Sequence, residues 1–397
     1  MPDESVILTT VPAFVLAFAL GLLALRLKLS PLLGYLGAGV LVGPFTPGWV
    51  AHGGAAEQMA EIGVVLLMFG VGLHFAPEDL LKVRRLAVPG ALLQMALATG
   101  LAVALGGAVG LGLTEALLLG LCLSVASTVV VLRGLEERRE VKTEAGRIAV
   151  GWLVVQDFLV ILGLVLLPPL LRGRGEPADL ALGVGWQLLK VAVFVALMLL
   201  VGGRALPWLL VRVAHTRSRE LFTLGVLSIA LGIAWLAYAV FSASFALGAF
   251  VAGLVLNGSK LGHNAAERSL PFRDAFAVMF FVSVGMLFDP GILARQPLAL
   301  LGVVVILIVS GAFAAVLVAW IARVDRPHAA LLAASLPQIG EFSFVLAGLG
   351  VSLGVMSRDT QALVIAAAIL SIAINPLLMW TARWFARPGQ PASGPPA

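Results

Sequence analysis

Apolar stretches of about 20 residues, separated by short polar punctuation, follow one another along almost the whole chain. Bounded by charges, Gly or Pro, they fall at 5–25, 31–47, 57–75, 86–110, 114–132, 148–171, 179–203, 220–240, 244–258, 274–289, 297–322, 328–350 and 361–382. A helix rising about 1.5 Å per residue needs about 20 residues to cross the hydrocarbon layer. The pattern therefore predicts an all-α polytopic membrane protein with about 13 transmembrane helices. The second and ninth stretches are short.

Basic residues orient these spans. Of 26 Lys and Arg, 21 follow odd-numbered stretches, among them Arg84 and Arg85, Arg138 and Arg139, Arg217 and Arg219, and Arg323 and Arg326. Four (Arg172, Arg174, Arg295 and Arg358) fall on the other side, and Lys190 lies within the seventh stretch. The positive-inside rule then puts the N-terminus outside and the C-terminus in the cytoplasm of a cell inner (plasma) membrane. A basic balance can signal nucleic-acid binding, but this asymmetry assigns it to membrane topology, so no nucleic-acid partner is expected.

Composition agrees. The chain is 60% hydrophobic and 12% charged, against about 25% charged in a soluble domain. Met1-Pro2-Asp3-Glu4 provides no basic region for a signal peptide, and the lone Cys122 permits no disulfide within the chain. The Pro- and Gly-rich residues 386–397 predict a disordered cytoplasmic tail with no folded domain after it. The expected domains are a transmembrane unit over 1–385 and that tail.

A shift of 214 residues lays SPLLGYLGAGVLVGP (30–44) over SFALGAFVAGLVLNG (244–258), matching Ser30/Ser244, Gly34/Gly248 and Gly39/Gly253. A shift of 213 lays VGLHFAPEDL (71–80) over VGMLFDPGIL (284–293). The matched stretches are seven apart. Seven is odd, so the copies run in opposite directions: two inverted six-helix repeats, about 5–171 and 220–382, joined by a linker helix at 179–203. Inverted repeats are a common build of secondary transporters, with the site at midmembrane where broken helices meet.

An ionisable group in the bilayer core is a candidate functional residue by default. Asp157 lies about 15 Å from Arg147 and about 22 Å from Arg172 along a helix, too deep to reach either surface. Its carboxyl must be protonated, paired or bound to a cation, and a proton and an alkali cation competing for it would be antiport in its smallest form. The neighbouring Gln156 offers a neutral ligand or a helix–helix hydrogen bond. Glu341 is the second acid at this depth, preceded by Pro337, Gln338 and Gly340, which predict a helix break. Its repeat counterpart, residues 124–128, is weak in helix propensity. Ser127 and Thr128 there are candidate ligands, with back-bonding to a helix carbonyl as the alternative. Glu341 would offset the positive ends of half-helices. His74, His263, Asp274, Asp289 and Lys190 read as interfacial or solvated groups. No cofactor and no metal beyond a transported K⁺ or Na⁺ is expected.

SPLLGYLGAGVLVGP, EIGVVLLMFGVGLHF (61–75), Gln156-Asp157, SLPFRDAFAVMFFVSVGMLFDP (269–290) and LPQIGEFSFVLAGLG (336–350), in that order, resemble the motifs of Kef-type monovalent cation:proton antiporter membrane domains, closest to the YbaL-like branch. The resemblance covers nearly all of 5–385. It implies thirteen helices with discontinuous crossing helices, a homodimer, no enzyme activity, and alternating-access, elevator-type exchange of K⁺ or Na⁺ for H⁺ at Asp157. Kef-like chains usually continue into a cytosolic nucleotide-binding domain, whereas this sequence has 397 residues. Gly72-Leu73-His74 stands where Kef systems usually have Gly-Leu-Glu. The competing readings are a gated K⁺ efflux channel and a sodium-coupled solute symporter. An intramembrane aspartyl protease is disfavoured, because Asp157 has no aspartate counterpart.

Overall fold

The computed structural model describes residues 4–27, 29–46, 53–74, 77–136, 139–140, 143–172, 177–259 and 262–385. The tail at 386–397 and the side chains of His74 and His263 lie outside the described residues. Backbone polar groups in lipid must be satisfied within their own segment, which makes helix the default for apolar runs. The described residues accordingly form helices and no strands.

The first helices are α1 (Glu4–Arg26), α2 (Pro31–Val42), α3 (Gly53–His74), α4 (Pro77–Val109), α5 (Leu113–Leu123), α6 (Thr128–Glu136) and α7 (Glu144–Arg172). There follow α8 (Pro177–Leu197), a π-helical turn (Met198–Gly202), α9 (Gly203–Ala214), α10 (Arg219–Phe241), α11 (Phe245–Asn257) and α12 (Gly262–Met286). The last are α13 (Ile292–Arg295), α14 (Pro297–Ile321), α15 (Arg326–Ser335), α16 (Glu341–Ser352) and α17 (Arg358–Phe385). Among the described residues, six helical stretches are long and apolar enough to cross a membrane, and six more apolar helices are shorter.

Each apolar stretch of the sequence carries a helix or a pair, but several boundaries differ. The stretches at 114–132 and 328–350 are each two helices separated by non-helical residues. The linker runs past 203 to Ala214 through the π turn, and α4 starts at Pro77 rather than near 86. Pro77 suits a first helical position, where a missing N–H costs no intrahelical bond. The polar run therefore extends the helix, although hydropathy alone ends it.

The chain divides into two compact units, each drawing on both halves of the sequence. Unit 1 is Met1–Leu23, Gly34–Ala76 and Ile161–Phe288; unit 2 is Ala24–Leu33, Pro77–Val160 and Asp289–Ala397.

Unit 1 is seamed by glycine. A Cβ on Gly39 of α2 would fall 2.0 Å from the Val282 carbonyl oxygen of α12, and one on Gly285 of α12 would fall 2.1 Å from the Leu36 oxygen of α2. Gly72 of α3 and Gly253 of α11 interlock in the same way, at 2.2 Å from the Phe250 and Phe69 oxygens. The two seams exchange under the 213–214 shift. Gly34 lies against Leu20 and Gly21 of α1, while Gly248 lies against Ile233 and Ala234 of α10, again at shifted positions. Backbones approach this closely only where no side chain intervenes.

Unit 2 is centred on Trp152 of α7, which is fully buried among Ala87, Ala91, Ala149 and neighbouring apolar side chains. There α4 packs on α5 and α14, α15 on α14 and α17, and α16 on α5.

Candidate functional site

The eight candidate site residues (Ser127, Thr128, Gln156, Asp157, Pro337, Gln338, Gly340 and Glu341) lie in unit 2, at the two helix breaks or on α7 beside one of them. Between α15 and α16, Pro337 has no N–H to donate, and Gly340 caps α16 in extended conformation at φ −93°. A Cβ on Gly311 of α14 would come within 3.3 Å of Pro337. Between α5 and α6, residues 124–127 contain neither Pro nor Gly. That break is held open from outside. The Gly340 N–H donates to the Val125 carbonyl at 2.8 Å, tying the two breaks together. Space is tight, since a Cβ on Gly340 would stand 2.8 Å from the Ala126 oxygen.

Two helices begin at this crossing. Ser127 precedes α6 and its hydroxyl accepts the Val130 N–H at 3.4 Å; Glu341 is the first residue of α16. The Ser127 hydroxyl also donates to Glu341 Oε2 at 3.3 Å. Both N-termini carry partial positive charge, so the 4%-exposed Glu341 carboxyl is placed where an anion is favoured.

Asp157 lies beside the crossing. It is 6% exposed and accepts the Thr128 hydroxyl on Oδ2 at 3.0 Å. Its Oδ1 is buried without a hydrogen-bond donor. A buried carboxylate oxygen lacking a donor costs free energy until a proton, water or cation meets it. Gln156 faces the other way: its Oε1 accepts the Ala126 N–H at 3.2 Å, and its Nε2 donates to the Ser124 carbonyl at 2.8 Å and to Gln94 Oε1 at 2.9 Å. Gln338 donates to the Ser335 carbonyl at 2.9 Å, while its Oε1 is also buried without a donor.

Three polar residues of this region escape a search for charges. Gln94 of α4 is fully buried. Ser371 of α17 accepts the Ile339 N–H at 3.3 Å, and Asn375, also of α17, donates to the Ala334 carbonyl at 3.2 Å. Their signal was available: a lone amide or hydroxyl inside an apolar span must find a partner.

Of the interfacial groups, Asp289 pairs with Arg295 at 2.6 Å and Asp274 with Arg273 at 2.8 Å. The Lys190 ammonium donates to the Ser242 hydroxyl at 3.2 Å and stands over the Trp186 ring. Among the described residues, no group of three or more His, Cys, Asp or Glu side chains is arranged to hold a metal ion.

A multi-helix membrane protein with two buried carboxyls where two helix breaks meet has the build of a secondary transporter. The profile of the family "Sodium/hydrogen exchanger, transmembrane" matches residues 13–380, and the chain belongs to that family. It is 53% identical over 377 residues to the protein YbaL of Escherichia coli (strain K12), covering 94% of this chain and 67% of that one. It is 33% identical over 364 residues to a glutathione-regulated potassium-efflux system protein of Haemophilus influenzae (strain ATCC 51907 / DSM 11121 / KW20 / Rd), covering 90% of this chain and 58% of that one. The sodium proton antiporter MjNhaP1 of Methanocaldococcus jannaschii has the same fold, with a TM-score of 0.69 at 15% identity over 97% of this chain and 99% of that one. The chain is therefore a multi-pass membrane protein of a cation/proton antiporter family, and it resembles Kef-type proteins as its motifs indicated.

Proposed function

We propose that the protein exchanges K⁺ or Na⁺ for H⁺ across the cell inner membrane, with Asp157 as the group that both ions occupy in turn. The observation that carries this reading is the Asp157 carboxyl, buried beside the crossing with Oδ1 unpartnered. Thr128 steadies the other oxygen. The Gln338 amide oxygen, buried without a donor, and the carbonyls of the breaks are available as further neutral ligands for the cation, which is the substrate here. Gln156 acts as a prop for the crossing, since its amide oxygen is already engaged.

The reading includes thirteen crossings in two inverted repeats, the N-terminus outside and the C-terminus inside. Its support is the exchange of glycine seams under the sequence shift, together with the hydrogen bond between Ser127 and Glu341, which are 214 residues apart. It also includes an elevator-type mechanism: unit 2 carries the site and moves, and unit 1 is the scaffold and dimerisation surface of a homodimer. Each unit draws on both sequence halves, as two bodies built from inverted repeats would.

The test is purified protein in proteoliposomes holding an inward-acid pH gradient. K⁺ or Na⁺ added outside should collapse the gradient by drawing protons out. A gradient that survives every alkali cation would overturn the reading. Single-channel K⁺ currents would favour the efflux-channel alternative.

A further inference from the structure

Gln94 is a fully buried polar side chain with no role so far; its Oε1 is doubly engaged, while its Nε2 is buried without a partner. It sits within the long apolar helix α4, and its Oε1 accepts hydrogen bonds from Trp152 Nε1 at 2.8 Å and from Gln156 Nε2 at 2.9 Å. Gly90, one turn earlier, admits the indole: a Cβ there would lie 2.1 Å from Trp152 Cζ3.

The indole removes the usual ambiguity of amide orientation. An indole N–H donates only, whereas a carboxamide offers an oxygen acceptor and an NH₂ donor that are nearly alike in shape. Trp152 therefore requires the Gln94 oxygen. That oxygen, shared with Gln156, requires the Gln156 NH₂. The Gln156 oxygen is then directed at the Ala126 N–H, and its second NH₂ proton goes to the Ser124 carbonyl. Polarity thus passes from α7 through α4 and back to α7, and ends on the backbone of the break that contains no Pro or Gly.

We propose that Gln94, oriented by Trp152, is a positioning residue for transport: it fixes the Gln156 amide and thereby the peptides of residues 124–126. Those peptides carry the Val125 carbonyl that receives Gly340 and lead directly into Thr128, the partner of Asp157. Gln94 does not touch the ion. Its loss loosens the cation site while Asp157 keeps its proton chemistry.

The inference rests on the antiport reading for its transport readout, so a second readout needs no transport. Hydrogen exchange of the wild-type protein, Gln94→Met, Gln156→Met and Trp152→Phe is followed on peptides covering 120–130. Faster exchange at 124–127 in both Gln variants, with the rest of α4 and α7 as protected as in the wild type, is the expected result. In proteoliposomes, Gln94→Met should raise the cation KM by about tenfold, the scale of one lost buried hydrogen bond, with kcat nearly kept. The Gln94→Met/Gln156→Met double variant should be no worse than the weaker single variant, because both changes break one chain. Should Gln94→Met fail to accumulate, Trp152→Phe carries the test with a smaller effect in the same two readouts. Unchanged protection at 124–127, or a fall in kcat at constant KM that adds to that of Gln156→Met, would overturn the proposal. Wild-type protein that moves no protons with any cation would instead defeat the antiport reading and leave the exchange result to decide the positioning role.

Discussion

At Asp157, one oxygen is satisfied by Thr128 and the other is left open. Hydrogen bonds to charged groups contribute about 1.5–3 kcal/mol, and about 1.4 kcal/mol corresponds to tenfold in affinity. Thr128→Val keeps the shape and removes the donor to the ionised form. The cation KM should rise about tenfold or more at neutral pH, read from initial rates of proton efflux, while the folded yield stays normal. An unchanged KM would show that the hydroxyl does not support the charged carboxyl. Competition for one site also fixes a sign with pH. Each proton that occupies Asp157 excludes a cation, so the apparent cation KM should rise as pH falls and level off at alkaline pH. A KM constant from pH 6 to 9 would contradict simple competition.

Among the elements, the crossing depends on two breaks with different origins. Pro337 and Gly340 make one of them intrinsic to the sequence. Gly340→Ala would place a methyl 2.8 Å from the Ala126 oxygen, and inserting a methyl into a packed interior costs about 1–3 kcal/mol. The melting temperature in detergent should fall and transport should be lost or greatly slowed; wild-type values for both would mean that the breaks can separate without consequence. Glu341→Gln leaves the hydrogen bond from Ser127 possible but removes the negative charge between two positive helix ends. Turnover or stability should fall while the preference between K⁺ and Na⁺ stays the same. A changed preference at a normal rate would make Glu341 a cation ligand.

The break before Glu341 could be read directly, because Pro and Gly interrupt a helix by their own chemistry. The break at 124–127 was visible only as weak helix propensity and as a counterpart of the other. Its cause is tertiary: Gln156 and Gly340 engage its backbone from other helices, and hydropathy carries no record of that. Asp157 was legible because a charge in an apolar span stands out. Gln94, Ser371 and Asn375 hardly alter the hydropathy pattern, and only the rule that a buried amide or hydroxyl needs a partner marks them. Gln156 was ambiguous between a ligand and a helix–helix hydrogen bond, and its amide oxygen accepts the Ala126 N–H.

For the whole molecule, the site's charge determines how it responds to voltage. Asp157 neutralised by a cation and Asp157 neutralised by a proton carry the same net charge, and Glu341, held by Ser127, is taken to keep one state throughout. Moving a unit charge through the membrane potential is worth about 2.3 kcal/mol per 100 mV, but here no net charge moves. Exchange in proteoliposomes at a fixed pH gradient should therefore run at the same rate with the potential clamped at zero or at about 100 mV. A several-fold change would show that a second charge crosses with the carrier.

The central claim is that one carboxyl holds either ion, and proton release on cation binding tests it most directly. Purified protein in weakly buffered detergent solution is titrated with K⁺ and with Na⁺ while released protons are counted against bound cation. The account predicts one proton released per cation bound by the wild-type protein, and neither binding nor release in a folded Asp157→Asn variant. Cation binding without proton release, or equal release from Asp157→Asn, would contradict it.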